Sequence, residues 1–232
     1  MIAFALQPDI SQVICIDLDR NKLRMLAHNA SIYGVDPTKL VLVLADTIIV
    51  LRDYYRQGQL VSDAIAGTAE TDVDDAEGKK CKSESDLPLG YVIGGVELLP
   101  PHIDAVYLSP PWGGPAYASE GKKGLNLEDF VRIESLVPSG SNAAANTETK
   151  LMVDGLKLLQ LASNATEDGR NIIYFLPRNI NGISVGKAVA SLSKQLRKKG
   201  DVVELEQNIV NGKLKTVTAY IGQSSRNKKL SG

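Results

Sequence analysis

Asp104-Ala-Val-Tyr-Leu108 and, directly after it, Ser109-Pro-Pro-Trp-Gly-Gly-Pro115 set the architecture of this 232-residue chain. The first five residues form an apolar run that reads as a buried strand. Two successive prolines then stop any β-ladder, because proline has no N–H and a fixed φ. Trp112 is the only tryptophan in the chain, and it falls in this turn rather than in a core pattern. Gly113, Gly114 and Pro115 keep the backbone open and close to whatever lies beside it. The expected arrangement is a strand, a rigid loop rich in acceptors, and an exposed aromatic ring.

That chemistry suits a flat base carrying an amine. Proline offers a carbonyl acceptor with no donor of its own. Carbonyls on a rigid turn can take the N–H groups of an exocyclic amine and aim its lone pair outward, while the ring of Trp112 stacks the base. The plain alternative is a proline-rich surface turn with a packing tryptophan.

Working outward, Val13-Ile-Cys-Ile16 and Leu40-Val-Leu-Val-Leu-Ala45 are continuous apolar runs that read as buried parallel strands. The first ends in Asp17-Leu-Asp19 and the second at Asp46. Between them Arg20 to Tyr33 has a helical apolar face, with Gly34 and Pro37 as its stop. In doubly wound sheets ligands bind beyond the carboxyl ends of the strands, and an acid there takes the ribose hydroxyls of an adenosine cofactor. Asp17 is the residue chosen for that role and Asp19 the runner-up, with Asp46 beside the adenine edge. Each is equally readable as a helix cap. Downstream, Leu127–Leu136 and Leu151–Ala162 read as helices and Asn171–Phe175 as a further buried strand, followed by Leu176-Pro-Arg-Asn179. Val185 to Lys199 reads as an amphipathic helix with a basic end. Val202–Ile209 and Leu214–Ile221 flank Asn211-Gly212, a strong hairpin signal. The expected fold is α/β, a Rossmann-like parallel sheet closed by a terminal antiparallel hairpin, the topology of class I S-adenosylmethionine-dependent methyltransferases. The chain is expected to form a single domain over 1–232. Two polar, low-complexity insertions, 61–100 and 138–150, carry too little apolar surface to offset their ordering entropy.

Composition narrows the classes. No run is long enough to span a membrane, and the N-terminus lacks a signal-peptide pattern. Cys15 and Cys81 form neither a disulfide framework nor a metal spacing, and no metal is expected. Cys15, inside an apolar run, is expected to be a buried free thiol. The net charge of −1 hides an asymmetry. Residues 1–170 hold 15 Lys/Arg against 24 Asp/Glu, and residues 171–232 hold 11 against 3. A basic end suits a phosphate-bearing partner, although a solvated basic helix would look the same.

The strings IDLD (Ile16–Asp19), SPPWGGPAY (Ser109–Tyr117), IIYFLPRN (Ile172–Asn179) and VELEQNIVNGKLKTVTAYIG (Val203–Gly222) resemble those of the trimethylguanosine synthase family. The second and fourth are the specific ones. The resemblance implies an enzyme that methylates the guanine 2-amino group of 7-methylguanosine RNA caps from S-adenosylmethionine. By it, Asp17 is the ribose ligand, Asp46 an adenine-side contact, and Ser109 and Pro110 line the reacting amine and the cofactor. Trp112 stacks on 7-methylguanine, while Tyr117, Arg178, Asn179 and Lys215 hold the cap phosphates. The implied substrates are small nuclear and nucleolar RNAs, giving 2,2,7-trimethylguanosine, in a nuclear protein acting as a monomer without membrane contact. The family has an acid where this chain has Ala116. The family's first strand and glycine-rich loop have no counterpart here, and Met1–Ala5 resembles the helix just after that loop. The alternatives are another nucleobase amino methyltransferase, acting on DNA, rRNA or tRNA, and a cap-binding protein without catalysis.

Overall fold

A computed structural model describes residues 1–61, 87–112, 124–129, 131–138, 148–167, 169–195 and 201–223. They fall into two compact units, one of Met1–Tyr54 with Leu60–Pro101, the other of Tyr55–Gln59 with His102–Gly232.

The first unit opens with a single helical turn, α1 (Ile2–Ala5), then β1 (Val13–Asp17), α2 (Arg20–Ile32), β2 (Leu40–Leu44) and a short α3 (Thr47–Ile49). β1 and β2 pair in parallel from Val13↔Leu40 to Asp17↔Leu44, as two uninterrupted apolar runs require. Asp19 starts α2, its carboxylate accepting from the N–H groups of Asn21 and Lys22 at 2.9 and 3.4 Å. Leu23, Ala27 and Ala30 are the buried positions of α2, spaced at the helical period. A two-residue ribbon, β3 (Tyr55–Arg56) with β4 (Gln59–Leu60), lies where the chain passes from one unit to the other. β5 (Ile93–Gly94) then adds to β2 in parallel, giving the order β1-β2-β5.

The expected insertion at 61–100 is therefore too long. Residues 62–86 lie outside the described residues, but the chain rejoins the fold well before Pro100. Tyr91 and Ile93 are buried, and the Tyr91 hydroxyl donates to the Val35 carbonyl at 2.6 Å. Two large apolar side chains suffice to hold this stretch, at about 1.5–3 kcal/mol for each fully buried one.

The second unit contains β6 (Val106–Leu108), β7 (Ile133–Pro138), β8 (Glu148–Val153), α4 (Gly155–Ala165), β9 (Ile172–Pro177), α5 (Gly182–Gln195), β10 (Asp201–Val210) and β11 (Lys213–Gln223). Its main sheet has the order β10-β11-β9-β6, with β6 and β9 parallel and the rest antiparallel. Asn211 and Gly212 both have positive φ, 52° and 70°, the geometry of the two-residue turn that their identities predict. Parallel pairing in both units and the closing antiparallel hairpin form the class I pattern.

Two expectations fail here. Leu127–Leu136 is not a helix: residues 127–129 form a turn and β7 follows, paired with β8 from Ile133↔Val153 to Pro138↔Glu148. Val131 has φ +68°, which no right-handed helix admits, and Lys150 forms an ion pair with Glu134 across the hairpin. The second low-complexity stretch, 138–150, thus begins at the end of β7 and finishes within β8, and its residues 139–147 lie outside the described residues. The helix expected from Leu151 starts later, because Asp154 caps it by accepting from the Lys157 N–H at 2.7 Å. Leu151–Val153 belong to β8 instead.

Candidate active site

In the second unit the pairing brings most of the predicted residues to one end of the sheet. Leu108 lies opposite Tyr174 and the two strands are parallel, so the chain leaves β6 and β9 at the same end of the sheet. β11 runs the other way, with Thr216 opposite Pro177, so Lys215 reaches the same end. Ser109, Pro110, Trp112, Arg178, Asn179 and Lys215 therefore share the rim where ligands bind in parallel sheets. Tyr117 and Ala116 lie outside the described residues, as do Gly113, Gly114 and Pro115.

Ser109 and Pro111 are exposed and Pro110 half-buried, as two prolines beyond the ladder should be. Tyr107, half-buried two residues before Ser109, has a pKa above the ordinary tyrosine value because partial burial disfavours the phenolate. Trp112 is half-buried, not fully exposed as its turn suggested. Its Nε1–H donates to the Phe175 carbonyl at 3.3 Å, and the two ring centroids lie 5.2 Å apart at a 32° tilt. β6 ends opposite Tyr174, and the indole N–H takes up a carbonyl one residue past the end of that ladder. The register sets Phe175 opposite Thr218 and Ile173 opposite Tyr220, so these side chains share one face. On that face Tyr220 donates to Glu206 at 2.6 Å, a bond that raises the tyrosine's pKa.

Arg178 and Asn179 are the two central residues of a β-turn, closed by the Ile180 N–H to the Pro177 carbonyl at 3.1 Å. Arg178 is exposed and Asn179 half-buried. Lys215 is the extra residue of a β-bulge: Asn208 pairs with Thr216 and Ile209 with Leu214, leaving Lys215 without an opposite residue. Bulges re-aim side chains, and this one lies at the rim with Lys215 exposed.

Sequence reasoning missed Phe175, Tyr107 and the bulge. Phe175 was legible in principle, since alternation along Ile172–Pro177 puts it on the face opposite Tyr174. The bulge was not, because it depends on the register of two strands.

The acids of the first unit sit at the carboxyl ends of β1 and β2. Asp17 Oδ1 accepts from the Asp19 N–H at 2.8 Å, and Lys22 lies 3.7 Å from it. Its side chain is 37% exposed, so it keeps acceptor capacity toward solvent. A partly open carboxylate beyond a parallel strand fits a pair of ribose hydroxyls. Asp19, the runner-up, is committed to capping α2. Asp46 caps α3, its Oδ1 accepting from the Ile48 N–H at 2.7 Å, so the cap reading of that acid holds. Cys15 is a buried free thiol, pushed up to about 11 by burial. Among the described residues no group of three or more His, Cys, Asp or Glu could hold a metal ion, and no helix is long and apolar enough to cross a membrane.

A family model described as RNA cap guanine-N2 methyltransferase matches residues 1–224, nearly the whole chain.

Proposed function

The chain belongs to the RNA cap guanine-N2 methyltransferase family, and on that premise we propose that it methylates the 2-amino group of 7-methylguanosine caps of small nuclear and nucleolar RNAs, giving 2,2,7-trimethylguanosine. As an enzyme of this family it has the class I methyltransferase fold described above. The observation that carries the finer reading is the shared rim. One sheet end carries an acceptor-rich Pro-Pro turn, an indole backed by Phe175, and two cationic side chains.

Each group has a distinct task. The indole of Trp112 stacks the base, and a 7-methylated guanine carries a positive charge that adds a cation–π gain of about 0.5–2 kcal/mol. That gain favours the methylated base over plain guanine. The carbonyls of Ser109 and Pro110 accept from the 2-amino group and hold its lone pair toward the methyl donor. Arg178 and Lys215, with Asn179 and Tyr117, hold the cap triphosphate through charge-assisted bonds. S-adenosylmethionine, when bound, supplies an electrophilic methyl group. Asp17 is the residue to hold its ribose, with Asp46 beside the adenine. The chain's own contribution is to align nucleophile and methyl carbon, which can be worth roughly 7–11 kcal/mol. The reading makes the protein a nuclear monomer that meets capped RNA.

The test is a fluorescence titration, for which the single tryptophan is a built-in probe. Quenching of Trp112 by 7-methyl-GTP and not by GTP supports cap recognition at the indole. Equal quenching by the two nucleotides would point to an amino methyltransferase for another guanine, and would sink the cap-selective reading.

A further inference from the structure

The turn that carries Arg178 and Asn179 is clamped. The Leu125 N–H donates to the Asn179 carbonyl at 2.8 Å, and the Asn181 N–H donates to the Leu125 carbonyl at 2.7 Å. The two strands of chain thus bridge on both sides of Ile180. Leu125 and Leu127 are buried, which fixes the clamping segment in turn. Gly124 permits the approach: its φ is +73°, and a Cβ there would meet the Asn179 carbonyl oxygen at 2.9 Å.

A directed side-chain relay locks the clamp. Asn181 Oδ1 accepts from the Ile183 N–H at 3.1 Å, at the start of α5. Asn181 Nδ2 donates to Asn126 Oδ1 at 3.0 Å, and Asn126 Nδ2 donates to Asp129 Oδ2 at 2.8 Å. The two ends set the direction. A backbone N–H can only donate and an ionised carboxylate can only accept, so both amides have one allowed orientation between them. Ser184 Oγ ties the same corner together, donating to the Asn181 carbonyl at 2.9 Å and accepting from the Leu127 N–H at 3.3 Å.

We infer that Asn181 is a positioning residue for substrate phosphate: through Asn126 and Asp129 it holds the Pro177–Ile180 turn so that Arg178 is presented at a fixed place on the rim. It touches no reacting atom. The inference rests on the reading of Arg178 as a phosphate ligand, and the test separates the two.

The experiment measures, by calorimetry on the full chain, the affinity for 7-methyl-GTP and for 7-methylguanosine, which lacks the phosphates. Asn181→Asp keeps the acceptor for the Ile183 N–H but sets a second carboxylate against Asn126. Whichever way the Asn126 amide turns, its oxygen then faces an acceptor. The expected result is an approximately fivefold loss for 7-methyl-GTP, the scale of one hydrogen bond, with 7-methylguanosine unchanged. Asp129→Asn alone keeps an acceptor for the Asn126 amide and serves as the single-variant reference for the pair. The pair Asn181→Asp with Asp129→Asn lets the relay run in reverse, and restores 7-methyl-GTP binding. If Asn181→Asp does not fold, Asn126→Ala breaks the same link and carries the same expectation. Equal losses for nucleotide and nucleoside, or no restoration in the double variant, overturn the positioning role. Arg178→Ala is the separate arm. If it weakens 7-methyl-GTP while Asn181→Asp does not, the positioning role alone falls. If it leaves 7-methyl-GTP unchanged, the phosphate reading falls and the positioning role with it.

Discussion

Trp112→Phe separates two jobs of the indole, its contact with Phe175 and its proposed stacking on the base. Phenylalanine keeps an aromatic ring against Phe175 but removes the Nε1–H that bonds the Phe175 carbonyl at 3.3 Å. That bond is at the long end of the range, so its loss should cost about 0.5–1 kcal/mol of stability. For a chain of this length the melting temperature should fall by about 1–4 °C. The second job is recognition. Tryptophan is the strongest cation–π partner, and the replacement forfeits part of a term worth about 0.5–2 kcal/mol in total. Affinity for 7-methyl-GTP should therefore drop about two- to fivefold, while that for GTP changes less, because plain guanine carries no charge to lose. Trp112→Ala removes stacking as well, worth about 1–3 kcal/mol per base, so 7-methyl-GTP affinity should fall by roughly tenfold or more. Calorimetric titration of the parent and both variants with both nucleotides gives these numbers, and thermal melts give the stability arm. Equal losses for 7-methyl-GTP and GTP in Trp112→Phe would refute the charge argument. An unchanged 7-methyl-GTP affinity in Trp112→Ala would remove the ring from the base site altogether.

Asp17→Asn keeps an acceptor for the Asp19 N–H at 2.8 Å but drops the charge, so it should weaken S-adenosylmethionine binding several-fold and leave 7-methyl-GTP binding alone; unchanged cofactor affinity rejects the ribose assignment. Cys15 gives a pH test. Its folded pKa of about 11 exceeds the ordinary 9.0, so the stability it contributes is complete below about pH 9 and is lost as pH climbs to about 11. The difference corresponds to about 2–3 kcal/mol. Denaturant melts at pH 8 and pH 11 should show a smaller alkaline loss in Cys15→Ala than in the parent, and equal losses would show that the thiol ionises unhindered in the fold.

Much of the fold could be read from the chain because its signals are local. Val13–Ile16 and Leu40–Ala45 are apolar without interruption, and such runs have no solvent side to occupy except inside a parallel sheet. Asn211-Gly212 fixes a hairpin because both residues accept positive φ. The failures came where local patterns compete. Leu127–Leu136 and Leu151–Ala162 contain helical spacing, but the structure uses Ile133–Pro138 and Glu148–Val153 as a hairpin. Strand pairing across nine intervening residues is invisible to a periodicity argument made on either half alone. The acids show the same limit from the other side. A carboxylate after a strand serves equally as ligand or cap, and only the geometry shows that Asp19 and Asp46 cap helices while Asp17 stays partly open.

The residues proposed for the rim were legible in the sequence, and the residues that support them were not. Ser109, Trp112, Arg178 and Lys215 declare themselves because their chemistry is unusual for their setting: a tryptophan in a turn, an arginine just after a strand. The residues that fix the Arg178 turn are ordinary asparagines, an aspartate and a glycine, which any loop contains. Their meaning lies in direction. The relay from the Ile183 N–H through Asn181 and Asn126 to Asp129 runs one way because one end must donate and the other must accept. No spacing rule encodes this, since Asn126 and Asn181 stand 55 positions apart. The consequence is that substitutions of like size at these positions, Asn for Asp or Asp for Asn, are chemically opposite there. A swap made in both places is conservative, whereas the swap at Asn181 alone is not.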